Sequence, residues 1–391
     1  MEQRRSATFT LIRNVQVFAP QELGLRDVLV VGEQVVRVAP DLGAFASLPE
    51  VKTIEGGGRY LTPGFIDAHV HISGGGGGAG FGSRGPEINF SEAMLAGITT
   101  VLGCVGIDQE GRDLQSLLAK TRSLEFRGMT ARMLTGGFDW RVTVTGSIIK
   151  DLFVIDHVVG AKVAISDRRS FHPTQDQLNQ LIAETMHGGL LSGKAGIVQV
   201  HVGDLASGIT PLMKAVKDTG VPIKHVLPTH LNRNEFLMEQ AAEWINMGGV
   251  VDLTPAVTPA EFKRAMFSAK AIKKLLSAGC PIEQITLSSD ANGISTIHGF
   301  DKVERFPLNL LHKEFKELVL GEGLKVSDAL KCITSNVARV LKMERKGVVM
   351  EGADADLVLL DPGSLELELV MARGEVVVQN GKILKMQKLD V

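Results

Sequence analysis

Residues 63–71 read PGFIDAHVH, an apolar run that closes on two histidines. Phe65–His69 has the length and content of a short, fully buried strand. Alternate residues of a strand share a side, so His69 and His71 can both face one ion while Val70 packs away. Imidazole suits zinc and other borderline divalent cations.

Downstream of this strand the chain alternates. Thr99–Cys104, Ala131–Thr135, Ala161–Ser166, Gly196–His201, Lys224–Thr229, Gly249–Leu253 and Gln284–Ser288 are short, apolar and unalternating, as buried parallel strands are. Helical patterns lie between them at Glu110–Arg127, Gln175–His187, Gly208–Asp218, Glu235–Gly248 and Ala260–Ala278. With Phe65–His69 this makes eight strands, the pattern of an α/β (β/α)8 TIM-like barrel. A doubly wound sheet is disfavoured, because no GxGxxG follows the first strand and polar residues close many strands.

Both ends of the chain read differently. Phe9–Phe18, Asp27–Val38 and Glu50–Ile54 are strand-like, as are Asp354–Leu360, Leu367–Ala372 and Glu375–Val378, with a turn at 380–382 into a last strand. The expectation is a small β-sandwich domain from residues 1–60 plus 346–391, hosting the barrel of 61–345.

Composition narrows the function classes. With 391 residues the chain can build a large core, and its net charge of -2 gives no reason to expect nucleic acid or an anionic membrane as partner. Cys104, Cys280 and Cys332 form neither a CxxC site nor a disulfide framework, which fits a reducing, cytoplasmic setting. The opening MEQRRSATFTLIRNV has no apolar run of signal-peptide length, and no stretch approaches a membrane span.

Barrel enzymes build their sites at the C-terminal ends of the strands. Here those ends carry His69, His71, His201, His230 and Asp290, and Lys162 enters the third or fourth strand. Four histidines in such places point to a metal site. His157, His172, His187, His225, His298 and His312 read as surface or structural residues. Lys162 is costly in an apolar strand unless paired or neutralised. A buried ion pair is one solution; a carbamate formed with carbon dioxide, able to bridge two metals, is another. Asp290 can ligate a metal and accept the proton of an attacking water.

Together these motifs resemble the amidohydrolase superfamily, and within it the bacterial isoaspartyl dipeptidases. The resemblance runs through PGFIDAHVH (63–71), SLLAKTR (116–122), TGS (145–147), KVAISDRRS (162–170), GGLLSGKAG (188–196), PTHLNRN (228–234) and LSSDANG (287–293). It implies a cytoplasmic binuclear zinc hydrolase of β-aspartyl dipeptides that forms a homo-oligomer, commonly an octamer. By resemblance, His69, His71 and Asp290 hold one ion and His201 and His230 the other. Carbamylated Lys162 and a hydroxide bridge the two, and Asp290 moves the proton to the leaving amine. Arg169 and Arg233 match the arginines that grip the substrate carboxylates, a role suited to the bidentate guanidinium. Gly76 belongs to the same pocket.

Four polar positions of that pocket are replaced. Gly78 stands where the resemblance places the glutamate for the substrate α-amine, and Phe138 where it places a tyrosine over the scissile carbonyl. Ile107 and Ile294 replace a threonine and a serine. Arg84, Glu87, Asp139 and Arg141 lie near enough in sequence to offer substitutes. Three readings follow: a β-aspartyl dipeptidase, a hydrolase of an N-acyl or cyclic amide with a carboxylate but no free α-amine, and a non-enzymatic barrel protein.

Overall fold

The computed structural model describes residues 9–260, 262–295 and 304–384. His298 and the outermost ends of the expected sandwich domain, 1–8 and 385–391, lie outside the described residues.

The N-terminal strands are β1 (Phe9–Phe18), β2 (Glu22–Val31), β3 (Gln34–Ala39), β4 (Val51–Glu55) and β5 (Tyr60–Pro63). The barrel strands follow: β6 (Phe65–Val70), β7 (Ile98–Gly103), β8 (Thr130–Gly136), β9 (Val158–Ile165), β10 (Ile197–Val202), β11 (Val226–Thr229), β12 (Val251–Leu253) and β13 (Ile285–Leu287). All eight expected barrel strands are present. A short hairpin, β14 (Ile294–Ser295) and β15 (Glu304–Arg305), precedes the C-terminal β16 (Leu357–Leu360), β17 (Leu367–Ala372), β18 (Glu375–Gln379) and β19 (Lys382–Ile383).

β6 to β11 form one parallel six-stranded sheet in chain order, and β12 pairs with β13 in parallel. At one seam His71 N–H donates to Ala291 O at 3.0 Å, and Ser289 Oγ donates to Asp67 at 2.5 Å. At the other, Thr229 Oγ1 donates to Asp252 Oδ2 at 2.6 Å. The Asn232 side chain there exchanges bonds with the Thr254 backbone. One backbone bridge and several side chains thus close the curl where the regular ladder stops. Alternation along each strand sorts its residues. Val198, Val200 and Val202 of β10 join the large cluster shared with the helices. Ile197 joins Ile66, Ala68, Leu102, Cys104, Leu134 and Leu227 in a separate cluster, and Gln199 reaches Ala68 O at 2.8 Å.

Between the strands lie α1 (Phe90–Leu95), α2 (Leu114–Phe126), α3 (Ile148–Val154), α4 (Gln175–Ser192), α5 (Thr210–Thr219), α6 (Glu235–Asn246) and α7 (Ser268–Ser277). Then come α8 (Leu310–Lys316), α9 (Val326–Ile333) and α10 (Ser335–Val340). Their ends follow capping chemistry. Asp113 caps α2, so this helix starts at Leu114 and not at Glu110. Thr174 and Gln177 form a capping box on α4, which ends at Gly193 in the left-handed region. The helix expected from Ala260 begins only at Ser268. Ahead of it, Met266 donates its N–H to Asn232 O at 2.8 Å, which recruits that segment as a loop beside His230. The expected strand Asp27–Val38 is two strands, split at Gly32.

The strands from both ends form one hydrogen-bonded sheet in the order β19-β18-β17-β16-β5-β1-β2-β3, with β4 also paired to β1. Its two halves share one apolar cluster that includes Val28, Val30, Leu357 and Met371. The sheet curls far enough that the β2–β3 turn meets the β17–β18 turn. A Cβ on Gly374 would stand 1.8 Å from Gly32 O. Among the described residues no helix is long and apolar enough to cross a membrane.

Candidate metal centre and substrate pocket

The structure brings all six residues expected to hold metal to one end of the barrel. His69 and His71 come from β6 and the residue after it, Lys162 from β9 and His201 from β10. His230 and Asp290 follow β11 and β13 in the left-handed region, at φ 69° and 53°. Non-glycine residues held there cost roughly 1–3 kcal/mol each, and such strain clusters at functional sites. Val70 packs away among the barrel–helix residues, as the alternation requires.

Distances inside the cluster are short. Lys162 Nζ lies 2.9 Å from His69 Nε2. Asp290 Oδ1 lies 3.2 Å from His71 Nε2 and 3.5 Å from His69 Nε2. The ring centroids of His69 and His230 are 5.0 Å apart, and those of His201 and His230 are 4.7 Å apart. His230 Nδ1 meets Thr254 Oγ1 at 2.8 Å. His69, His230 and Asp290 offer ligand atoms within 4.8 Å of one another, and so do His69, His71 and Cys104.

Electrostatics favour a cation acceptor. Burial holds all four imidazoles below their ordinary value, His201 down to about 3, so they are neutral and their lone pairs are available. Burial alone would raise the Asp290 carboxyl. The hydrogen bond to His71 and the charges nearby outweigh it and keep Asp290 ionised. His69 Nδ1, His71 Nδ1 and His230 Nε2 are buried without a hydrogen-bond partner, a costly arrangement for polar atoms. Neutral imidazoles with orphaned nitrogens around an ionised carboxylate form a donor set suited to borderline divalent cations.

The two arginines differ. Arg169 is half exposed and forms a bidentate pair with Asp167, at 2.9 and 2.6 Å. Asp167 also meets His201 Nε2 at 3.0 Å. Arg233 is buried, its Nε lacks a partner, and its guanidinium lies 4.4 Å over the Phe262 ring. Burial and the Arg169 charge lower it to about 10, so it stays cationic at neutral pH. A buried cation with no hydrogen bond or carboxylate partner among the described residues is set to receive an anion.

The replaced positions divide. Phe138 is buried, with its ring 4.7 Å from that of His201 and 5.6 Å from the Arg169 guanidinium carbon. A Cβ on Gly78 would meet only the Ile107 methyls, at 3.5 and 3.7 Å. Gly76 is required by the backbone, since its φ is 86° and a Cβ there would stand 1.9 Å from Ser83 O and 2.8 Å from Ile294 Cγ1. Ile294 therefore packs on the glycine loop.

The polar neighbours that could have offered replacements are engaged elsewhere. Arg84 pairs with Asp108 and bonds Gly111 O. Glu87 pairs with Lys120. Asp139 and Arg141 pair with each other. His157, His225 and His312 bond Glu125, Gly196 O and Leu365 O, as structural histidines do.

Residue-type reasoning missed Cys104, Asp167 and Thr254. Cys104 accepts from Lys162 Nζ at 3.0 Å and is fully buried. Their signal was present, since Cys104 and Thr254 each directly follow a barrel strand and Asp167 follows β9 by two.

Comparison with known proteins agrees with this architecture. The sequence profile of the amidohydrolase family matches residues 60–385. The β-aspartyl dipeptidase of Fervidobacterium islandicum AW-1, crystallised with a β-Asp-Leu dipeptide, is 36% identical. It matches 98% of this chain and 100% of its own, with a TM-score of 0.91. The adenine deaminase of Klebsiella pneumoniae (strain 342) is 25% identical over 392 residues, 94% of this chain and 55% of that protein. The adenine deaminase of Deinococcus radiodurans is 47% identical over 64 residues, 16% of this chain and 11% of that protein. The chain thus spans about half the length of the curated deaminases that match most of it. On a profile that covers most of its length and a near-complete structural match above a third identity, the chain belongs to the amidohydrolase family.

Proposed function

We propose that this chain hydrolyses the amide bond of a small carboxylate-bearing substrate, with β-aspartyl dipeptides as the first choice. The observation that carries the reading is the unpaired, buried Arg233 guanidinium beside the neutral histidine cluster and Asp290. The dipeptide held by the Fervidobacterium relative supports the substrate class.

In this reading His69, His71 and Asp290 would hold one divalent cation, His201 and His230 would hold a second, and Lys162, carbamylated by carbon dioxide, would serve as a ligand to both. Zinc is the first expectation among the borderline cations these ligands suit. Bound there, such cations lower the pKa of water towards neutrality and polarise a carbonyl oxygen. The chain's own residues do the rest. Asp290 directs Oδ1 at His71 and His69, which leaves Oδ2 to take the proton of the attacking water and return it to the leaving amine. Arg233 binds a substrate carboxylate, and Arg169 holds Asp167 against His201 while offering its exposed edge to the same substrate. Phe138 has no hydroxyl, so it packs its ring on His201 and donates no bond.

The division at residues 60 and 346 belongs to this reading, with the curled sheet as a support and the barrel as the enzyme. Phe153, Val154, Leu190 and Leu191, exposed on the neighbouring α3 and α4, offer an apolar surface for a homo-oligomer, with an octamer as the first expectation. A cytoplasmic enzyme agrees with three free cysteines.

One observation favours a second substrate. The space at Gly78 is bounded by Ile107 methyls and not by a carboxylate, which suits an N-acyl or cyclic amide better than a free ammonium. Zinc-loaded protein given β-Asp-Leu, its N-acetyl derivative and cyclic amides decides between them. Turnover of β-Asp-Leu above the others supports the dipeptidase. Turnover of the blocked substrates alone replaces it with the second reading, and turnover of none ends both.

A further inference from the structure

Cys104 directly follows β7, the strand next to β6, and faces inward with Ala68 and Leu102. A buried free cysteine often serves as a small apolar residue. This one has polar company on its sulfur side. Lys162 Nζ lies 3.0 Å from Sγ and 2.9 Å from His69 Nε2, so a single amine spans the sulfur and the imidazole. Sγ and the ligand atoms of His69 and His71 all lie within 4.8 Å of one another. Nδ1 of both histidines is buried without a partner. The proposed ligand sets leave this sulfur out.

We propose that Cys104 Sγ is a protein ligand of the cation held by His69 and His71, which makes that position thiophilic. The inference rests on the reading of the cluster as a metal centre. As the sulfur–metal bond forms from a sulfur lone pair, the S–H bond breaks and its proton passes to solvent, with no change of oxidation state. A thiolate is a softer ligand than carboxylate or water, so the site selects zinc, cobalt or cadmium over manganese and magnesium. The Lys162 nitrogen, which keeps an N–H as amine or as carbamate, donates to the sulfur, restrains its charge and couples the state of Lys162 to this ion.

Spectroscopy separates this from the metal-centre reading itself. Protein stripped of metal and reloaded with cobalt(II) alone should show visible ligand-field bands together with a near-ultraviolet sulfur-to-cobalt charge-transfer band. Cys104→Ser should keep the visible bands and lose the near-ultraviolet one. It should also bind zinc at least about tenfold more weakly, the lower range seen for outer-shell changes. A variant with Cys280 and Cys332 both changed to Ala should retain the band, since neither stands in a metal-ligating group among the described residues. Zinc-edge X-ray absorption on the unaltered protein needs no variant to fold, and should show a sulfur scatterer at about 2.3 Å. Visible bands without the charge-transfer band, its survival in Cys104→Ser, or zinc with only nitrogen and oxygen neighbours would overturn the assignment and leave the metal centre standing. Failure to bind cobalt or zinc would remove both.

Discussion

At the floor of the candidate site, Lys162 Nζ and Asp290 Oδ1 lie within 3.5 Å of His69 Nε2, and the His230 ring stands between those of His69 and His201, with centroids 5.0 and 4.7 Å away. At its wall, Gly76, Gly78, Ile107, Phe138 and Ile294 present backbone and apolar carbon. The floor is built on strands and the residues that directly follow them: alternation places His69, Lys162 and His201, while His230 and Asp290 sit just past their strands in the left-handed region. The wall hangs from loops and a two-stranded hairpin, where a side chain can be exchanged with little effect on the barrel. In the proposed reading the chemistry of bond cleavage and the choice of bond therefore sit on separate structures, and one can change while the other is kept.

The largest effect should come from the floor. Asp290→Asn keeps the size of the side chain and removes the proton acceptor, so kcat should fall about 10²- to 10⁴-fold while the circular dichroism spectrum stays the same. A fall of less than tenfold would break the assignment of Asp290 as acid and base.

Arg233 and Arg169 sharpen the contrast next. Arg233→Met removes a buried cation with no carboxylate beside it, so kcat/KM should fall roughly 10- to 100-fold, mainly through KM, with Tm unchanged or higher. Arg169→Met should cost less in KM. It should lower Tm instead, because it frees Asp167 from a bidentate pair. Equal effects on KM and Tm in both variants would mean that the two arginines play one role.

The wall should yield a smaller, selective change. A side chain at Gly78 has room beside Ile107 and needs no unusual backbone. Gly78→Glu should fold and shift the ratio of free-amine to N-acetyl dipeptide turnover about tenfold towards the free amine, the gain of one charged hydrogen bond. An unchanged ratio would detach Gly78 from the substrate.

A last effect, on stability and not on turnover, tests the seam behind the floor. Burial raises Asp252 to about 6, against the hydrogen bonds from Ser288, Thr229 and Thr286. Between its ordinary value near 4 and about 6 the folded chain binds a proton that the unfolded chain has lost. This contribution to stability is present at lower pH and is lost as pH rises to 6. Asp252→Asn removes that dependence. Its stability relative to the unaltered protein should therefore increase from pH 4 to pH 6, by up to about 3 kcal/mol. Parallel pH profiles would exclude Asp252 as the cause.

The barrel is legible in the sequence because its strands are short, apolar and separated by periodic helices, and all eight expected strands occur. The start of the helix expected from Ala260 is not, because the bonds from Asn232 to that loop run between residues distant in sequence. The site residues at strand ends, His69, His71, His201, His230 and Asp290, are legible from position and type. Cys104 reads in the sequence as a lone cysteine, and only the fold puts its sulfur 3.0 Å from Lys162.

Sequence by itself determined the strand count and the alternation that aims His69 and His71 to one side. These are local properties of period and residue type. Tertiary structure alone decided which arginine is paired, which imidazole nitrogens are left without partners, and which polar loop residues turn to other partners. Those outcomes depend on charges and donors brought together from far apart in the chain, and desolvation sets their energies only once the fold has closed over them.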